Sequence, residues 1–568
     1  MRPGMIALLA AASLAACGGG GGGSSGASAP LYTISGTVGG LGSGTSLVLV
    51  NNGGDSVTVA SNSSFSFKTH VVSGQKYNVT VFTQPKNQSC EVSNGSGTAL
   101  LDVTNIVVGC NTTQFEISGV VDGLAQGSLL TLQNNGADSL TLNANSSFTF
   151  ATAVPRLGNY DVTVASQPPG QTCTVSWATG GALINGVSNV IVECVSEVVL
   201  WSFGAGDDGA FPFGGLIQGP DSAFYGTTDS GGTNARGTLY KITTDGMETI
   251  LWNFGAGGDG SEPVGALALG SDGNFYGTTS AGGAYGFGTV YKVSPTGTET
   301  VLWSFGSGND GATPRAGLLL ANDGNFYGTT QKGGTANEGT VFSITTEGTE
   351  TVLWNFWTTV GDANEPYAPL IQASDGNLYG TGSGGGAGDW GTAFKITTAG
   401  VEEVLWSFIP ASFEPSDGFA PVAPLIEGSD GFLYGTTYLG GGQAGAVVRL
   451  SKEGTSHLGY VGEESVLYSF GNSGATDGGS PQAALIIGRD GNFYGTTSYG
   501  GSNSQGGTAF KLTPSGIESV LWNFGLGSDG QNVQAPLLQA SDGYFYGVSV
   551  TGGTNAKGTV FRIIPPSQ

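Results

Sequence analysis

The chain has 568 residues, 103 of them glycine and 10% of them aromatic, and its 17 basic residues against 42 acidic ones leave a net charge of −25. So acidic a surface repels phosphate backbones and anionic headgroups, which argues against nucleic acid as a partner, while the aromatic content separates the chain from a disordered Gly/Ser polymer. With only two histidines, His70 and His457, a Ser-His-Asp arrangement or a multi-histidine metal site is not expected.

Residues 1–16 combine Arg2, a short apolar run from Met5 and small residues before Cys17, the pattern of a secretion signal peptide too short to span a membrane stably. The stretch Leu14-Ala15-Ala16-Cys17 resembles the bacterial lipobox. That resemblance implies cleavage before Cys17 and acylation of its thiol, and with Gly18 in place of aspartate it implies sorting to the outer membrane where the host has one. Residues 17–30 are then the lipidated cysteine and a Gly/Ser-rich tether, a random coil spanning about 20 Å. The protein is expected on the periplasmic side or the cell surface, touching the membrane through its lipid.

Residues 31–112 and 113–196 read as two tandem β-sandwich modules. ISGTVGGLGSGTSLVLVNNGGDSVTV from Ile34 and ISGVVDGLAQGSLLTLQNNGADSLTL from Ile117 are one unit repeated at an offset of 83 residues, with alternating strands and Asn-Asn-Gly turns. These features predict six or seven antiparallel strands per module. The pattern resembles Ig-like modules of exported bacterial proteins. Removing Cys17 from the five cysteines leaves Cys90 and Cys110, then Cys173 and Cys194, at spacings of 20 and 21 residues in the two copies. Matched spacing predicts two disulfides, each worth about 2 to 4 kcal/mol in an oxidising compartment.

Residues 197–568 are periodic, with Tyr225, Tyr276, Tyr327, Tyr379, Tyr434, Tyr494 and Tyr546 recurring about every 50 residues. That is the range of one propeller blade. Each period holds four predicted strands, a to d: an APLIQAS-like strand, NFYGTT, GTVYKIT and ETVLWSF. The a–b turn is Asp-Gly in every copy but the first, which has Asp221-Ser222. One d strand, Val198–Phe203, precedes the first a strand, and the last c strand has no d strand after it. The fold class expected is therefore all-β, a seven-bladed β-propeller behind two sandwiches, with Val198–Phe203 closing the last blade. The recurring tyrosine and its glycine, and the tryptophan of strand d, read as packing between blades. Together LWSF, DGNFYGTT, Gly-Gly and GTVYKI resemble the GloVer tandem repeat of exported bacterial proteins. The resemblance implies compartment and fold and no established activity.

Chemistry is expected on one face, where the d–a and b–c loops of a propeller meet. The d–a loops carry Asp208, Asp259, Asp310, Asp362, Asp417, Asp477 and Asp529, which read as turn-forming acceptors. Calcium at Asp207-Asp208 is the alternative reading, and no other cofactor is expected. The variable b–c loops offer a binding rim of Tyr285, Phe287, Trp390, Tyr438 and Tyr499. The function expected is a monomeric, lipid-anchored binding or scaffold protein whose loop face meets a polysaccharide or a protein, with no catalytic residue assigned. The alternative is a glycan-cleaving enzyme using carboxylates on that face.

Overall fold

The computed structural model describes residues 28–566 except 182, 358–360, 409–417, 442–443, 454–464, 472–476 and 504–505. Cys17, most of the tether, Asp417 and His457 lie outside the described residues. Among the described residues every regular element is a β-strand. By internal contacts Met1–Ile117, Thr152–Asn159 and Gly180–Val187 form one unit, and Ser118–Ala151, Tyr160–Thr179 and Ser188–Gln568 form the other.

In the first unit two four-stranded sheets face each other. One consists of Ser64–Ser66, Ile34–Gly39, Val103–Thr112 and Gln88–Ser93, the other of Asp55–Val59, Leu47–Asn51, Lys76–Thr83 and Ser96–Thr98. The period-2 alternation puts Ile34, Leu47, Leu49, Ile106 and Val108 in a solvent-free core. The strands are not all antiparallel as expected, because Val103–Thr112 runs parallel to Ile34–Gly39. Two strands of one sheet that enter from the same end of the sandwich can pair only that way. Cys90 lies directly opposite Cys110 and is bonded to it.

In the second unit Cys173 likewise faces and bonds Cys194. The strand that carries Cys194 does not stop there. It runs from Val187 to Ser202, pairing first with Gln171–Ser176 of the sandwich and then, from Ser196 to Ser202, with Ile564 to Thr559 of the last repeat. The expected border at residue 196 is thus spanned by one continuous strand. Val195 is buried among Tyr494, Phe545, Phe561 and Ile563 of the repeats.

Among the described residues the repeats form six antiparallel four-stranded sheets and a seventh set of four strands within a seven-stranded sheet, numbered here 1 to 7 in chain order. Sheet 1 is a (Ile217–Gln218), b (Phe224–Thr228), c (Thr238–Ile242) and d (Glu248–Asn253). Sheet 7 is Leu538–Gln539, Phe545–Ser549, Thr559–Ile564 and, as its outer strand, Val187–Ser202. Strand a has two residues where a full strand was expected. Sheets 7 and 1 share a core of Phe203, Phe224, Tyr240, Tyr546 and Val560, so the series closes on itself as a propeller.

The recurring motif has more than one task. In all seven sheets the tyrosine hydroxyl donates to the carboxylate of the a–b turn, from Asp221 to Tyr225 at 2.9 Å through Asp542 to Tyr546 at 2.7 Å. Its ring packs on the b-strand ring of the next sheet, as Tyr276 does on Phe326 at 4.2 Å. Glycine follows for a reason other than the expected approach of neighbouring sheets. A Cβ at Gly226, Gly328 or Gly547 would meet the ring of Tyr240, Phe342 or Phe561, its cross-strand partner in the same sheet. The turn glycine Gly273 has φ 78°, and Ser222, where the first copy departs, adopts φ 65° at the same place.

The next residues tie sheet to sheet. The first threonine of YGTT donates to a backbone carbonyl of the following sheet in six cases, Thr278 to Ala316 at 2.7 Å among them, while the seventh copy has Val548. The second threonine sits under the residue after the d–a aspartate. A Cβ there, at Gly260 for instance, would fall on Thr279 Oγ1. Sheet 4 makes the complementary exchange, with Gly382 in place of threonine and buried Ala363 in place of glycine. Gly260→Ala should therefore destabilise by about 1 to 3 kcal/mol through overpacking, and Thr279→Gly by a similar amount through lost hydroxyl bonds. The double variant should recover at least about 1 kcal/mol of the sum, read from urea midpoints in a double-mutant cycle. Additive losses would reject the exchange.

Candidate functional site

The loop face is a second hydrogen-bonded layer. In sheets 1 to 4, 6 and 7 the d–a loop pairs with the b–c loop in a two-stranded ladder, such as Gly209–Ala210 with Ser230–Gly231, and in sheet 5 a bridge joins Phe419 and Leu439. Beneath it the d–a aspartates are buried and engaged. Asp208, Asp259, Asp310 and Asp529 each accept from the indole of the preceding strand d, Trp201, Trp252, Trp303 and Trp522, at 3.0 to 3.3 Å. Asp477 accepts from Tyr468, which replaces tryptophan in that copy, at 3.1 Å. Backbone N–H groups of Gly204, Gly255, Gly306 and Gly471 donate to the same carboxylates. In these five copies the aspartate is thus the turn acceptor expected and also the partner of the d-strand aromatic, which spacing alone did not reveal, whereas the Trp354 indole N–H is buried without a hydrogen-bond partner.

Asp208 has both oxygens occupied by Trp201, Gly204 and Gly209, and Asp207 is exposed. Among the described residues no three acidic, histidine or cysteine side chains gather as a metal site would require.

The proline four residues after the aspartate holds the next boundary. In sheets 2 to 6 and in sheet 1 it packs against the glycine that ends the preceding b–c loop, as Pro263 does against Gly237. The residue before it has positive φ in all seven sheets: Phe211, Glu262, Thr313, Glu365, Ala420, Ser480 and Asn532, between 46° and 60°. Each donates its N–H to the preceding sheet's b–c loop and accepts from the first residue of its own, as Glu262 does with Arg236 and Ser280. Left-handed backbone at non-glycine residues is held only where surroundings over-determine it.

That frame places two variable residues per sheet around the axis. One follows the proline and leads into the innermost strand: Phe213, Val264, Arg315, Tyr367, Val422, Gln482 and Gln534. Just below it the backbones of neighbouring sheets nearly touch, Gly214 against Gly265 and Gly265 against Gly317, which happens only close to the axis. The other variable residue opens the b–c loop: Asp229, Ser280, Gln331, Ser383, Tyr438, Ser498 and Val550. Their side chains meet. Arg315 Nε donates to Gln331 Oε1 at 3.0 Å, Gln331 Nε2 to Tyr367 Oη at 2.5 Å, and Gln482 Nε2 to Ser498 Oγ at 2.9 Å.

Charge gathers on sheets 1 to 4 of this mouth. Burial first, and then the Glu262 carboxylate, push the Asp229 carboxyl above its ordinary range, while the Arg315 guanidinium opposes that rise. Glu262 is itself paired with Arg236 at 3.3 Å, and Lys332 lies 2.5 Å from Glu365 and 3.6 Å from Glu338. At the two mouth positions themselves sheets 5 to 7 present only neutral side chains.

Of the five rim aromatics expected, Tyr438 is one of the mouth residues. Tyr285 and Phe287, 54% and 51% exposed, cover Gly306 on the outer part of the face. Trp390 makes an edge contact with Phe419 at 5.1 Å, and Tyr499 belongs to the sheet-6 ladder. Tyr285 and Phe287 share one loop, and Trp390, Tyr438 and Tyr499 stand on three others. The mouth itself was legible as two registers in which residue type changes directly after a near-constant proline or threonine, a signal that a search for aromatics passes over.

Fold and face together define a β-propeller whose repeated acids and aromatics serve the frame and whose unlike residues ring the axis. Residues 173–368 match the family model of the Gloeobacter/Verrucomicrobia repeat. Solved structures that resemble the chain include a streptogramin B lyase (15% identity, TM-score 0.44, covering 65% of this chain and 98% of that one). Others are virginiamycin B lyase from Staphylococcus aureus (14%, 0.43, 65% and 98%) and a gluconolactonase from Xanthomonas campestris (10%, 0.34, 66% and 90%). No curated protein matches the chain.

Proposed function

We propose that this is an extracytoplasmic binding protein, tethered through Cys17, whose propeller holds a polysaccharide at the axis mouth. The observation that carries the reading is the ring of unlike side chains at the two mouth positions, on a frame whose d–a aspartates and b-strand tyrosines are committed to packing and hydrogen bonding. The mouth offers what sugars use: amides at Gln331, Gln482 and Gln534, hydroxyls at Ser280, Ser383 and Ser498, and tyrosine faces at Tyr367 and Tyr438. The two disulfides and the bacterial repeat fit an exported protein. The rim of Tyr285, Phe287, Trp390 and Tyr499 extends the same face outward.

A glycan array tests it. Binding should appear without product, and Tyr438→Ala should weaken it by about tenfold, the worth of one aromatic face. Absence of any glycan signal overturns the proposal. A second reading, glycan cleavage, is favoured by the proximity of Asp229 to Glu262, two acids with no lysine bridging them. Reducing ends released by the wild type and not by Asp229→Asn would replace the first reading with the second.

A further inference from the structure

In a chain with 42 acidic and 17 basic residues, a guanidinium is expected to find a carboxylate, and two of the described arginines do. Arg236 pairs with Glu262 and Arg449 with Asp430. Among the described residues Arg156, Arg489 and Arg562 do not pair with a carboxylate, and neither does Arg315. It is exposed at the axis mouth, and no carboxylate lies within ion-pair distance of it among the described residues. Yet two side chains are spent on holding it. Gln331 accepts from its Nε at 3.0 Å, and Tyr367 fixes that amide through a 2.5 Å bond. The Tyr367 ring also lies 6.0 Å from the guanidinium carbon.

Because Nε is the nitrogen engaged, the two terminal nitrogens of the fork are left to meet a planar anion end-on. A pre-oriented fork of this kind matches a carboxylate with two parallel hydrogen bonds and loses little freedom in forming them. On the far side of the mouth the linked pair Gln482 and Ser498, and then Gln534, are neutral and hydrogen-bonding, which suits hydroxyl groups better than a second charge. The arrangement therefore has one anion-binding end and a longer neutral, sugar-compatible arc.

Resting on the glycan reading above, we propose that the mouth recognises an acidic polysaccharide, with the carboxylate of a uronic acid residue seated on Arg315 and its neighbouring hydroxyls on the neutral arc. Arg315 contacts the ligand. Gln331 acts as a positioning residue through it.

Calorimetric titration of the full-length protein with oligogalacturonate and with oligoalginate tests this, using the methyl-esterified oligogalacturonate as the uncharged twin. At least one free acid should bind, and esterification should weaken it by about tenfold or more, the loss of a charge-assisted bidentate pair. Arg315→Ala should abolish the difference between acid and ester. Arg315→Lys should restore part of the charge attraction without the bidentate gain, and Gln331→Leu should weaken acid binding while leaving the ester unchanged. Thermal midpoints should match the wild type, which separates lost recognition from lost fold. Acid and ester of equal affinity, or an unaffected Arg315→Ala, overturns the inference. Neutral glycans bound with uronates ignored would overturn it while leaving the glycan reading standing. Silence toward every glycan would remove both, and an acidic peptide captured at Arg315 instead would point to a protein partner.

Discussion

A chain ending at Gly558 should fail to form the propeller, although only residues 559–568 are removed. Those residues include Thr559–Ile564, the strand that pairs on one side with Phe545–Ser549 and on the other with Ser196–Ser202. Val560, Phe561 and Ile563 have no exposed surface, and burial of each is worth about 1.5 to 3 kcal/mol, so their loss approaches the 5 to 15 kcal/mol that a whole domain possesses. Two strand edges would also be left without partners, one on each side of the gap. The consequence extends upstream, because Val187–Ser202 belongs to the second sandwich as well and its Val195 is sealed in by Phe561 and Ile563. The truncated protein should show no cooperative melt by circular dichroism for either part of the second unit. A sharp transition of wild-type size would show that the seam is dispensable.

The architecture could be read from the sequence because a propeller states each of its rules several times. The spare strand at Val198–Phe203 and the vacancy after Ile564 are visible as a counting mismatch, and the matched cysteine spacings show the disulfides in the same way. What spacing did not disclose were partners separated by folding: Tyr276 with Asp272 across the turn, and Trp252 with Asp259 across the loop. Both pairs were present as repeated residues, each already accounted for singly, so nothing demanded a pairing. The exchange of Gly382 and Ala363 is a similar case, since two departures in one copy make sense only when the two positions face each other, as Gly260 and Thr279 do in sheet 2. The mouth was hardest to read. Arg315, Gln331 and Tyr367 lie on two sheets with 52 residues between the first and last, and only the return of the chain to the axis sets them side by side.

The same repetition predicts how stability depends on pH. Strand d begins with a glutamate in five described sheets, and Glu197 holds the equivalent place inside the long outer strand of sheet 7; in each the Oε1 is buried without a hydrogen-bond partner: Glu197, Glu248, Glu299, Glu350, Glu402 and Glu518. Burial is the main reason that these carboxyls are pushed up to about 7 or 8, and the aspartate of the adjoining d–a loop, Asp208 for Glu248 or Asp529 for Glu197, adds to it. In the unfolded chain they ionise near 4.5. Their contribution to stability is therefore fully present below about 4.5 and is lost as pH rises through 7 to 8, with one pKa unit worth about 1.4 kcal/mol before solvent screening reduces it. At the a–b turns the signs reverse. Hydrogen bonds from Asn492 and Tyr494 outweigh burial and hold the Asp490 carboxyl at about 2, and Asp272, Asp323 and Asp375 are lowered by the same kind of contact. Their contribution is present above the unfolded value near 3.8 and is lost as pH falls toward 2. The melting temperature should consequently peak between about pH 4 and pH 6 and fall on both sides, more gradually on the alkaline side where six carboxyls titrate over a range of values. Glu402→Gln and Glu518→Gln, which keep the shape and remove the charge, should raise the midpoint at pH 8, leave it unchanged at pH 5, and add to each other because the two residues sit at separate sheet boundaries. A melting temperature that climbs from pH 5 to pH 8 would show that the glutamates are ionised and solvated in the folded protein.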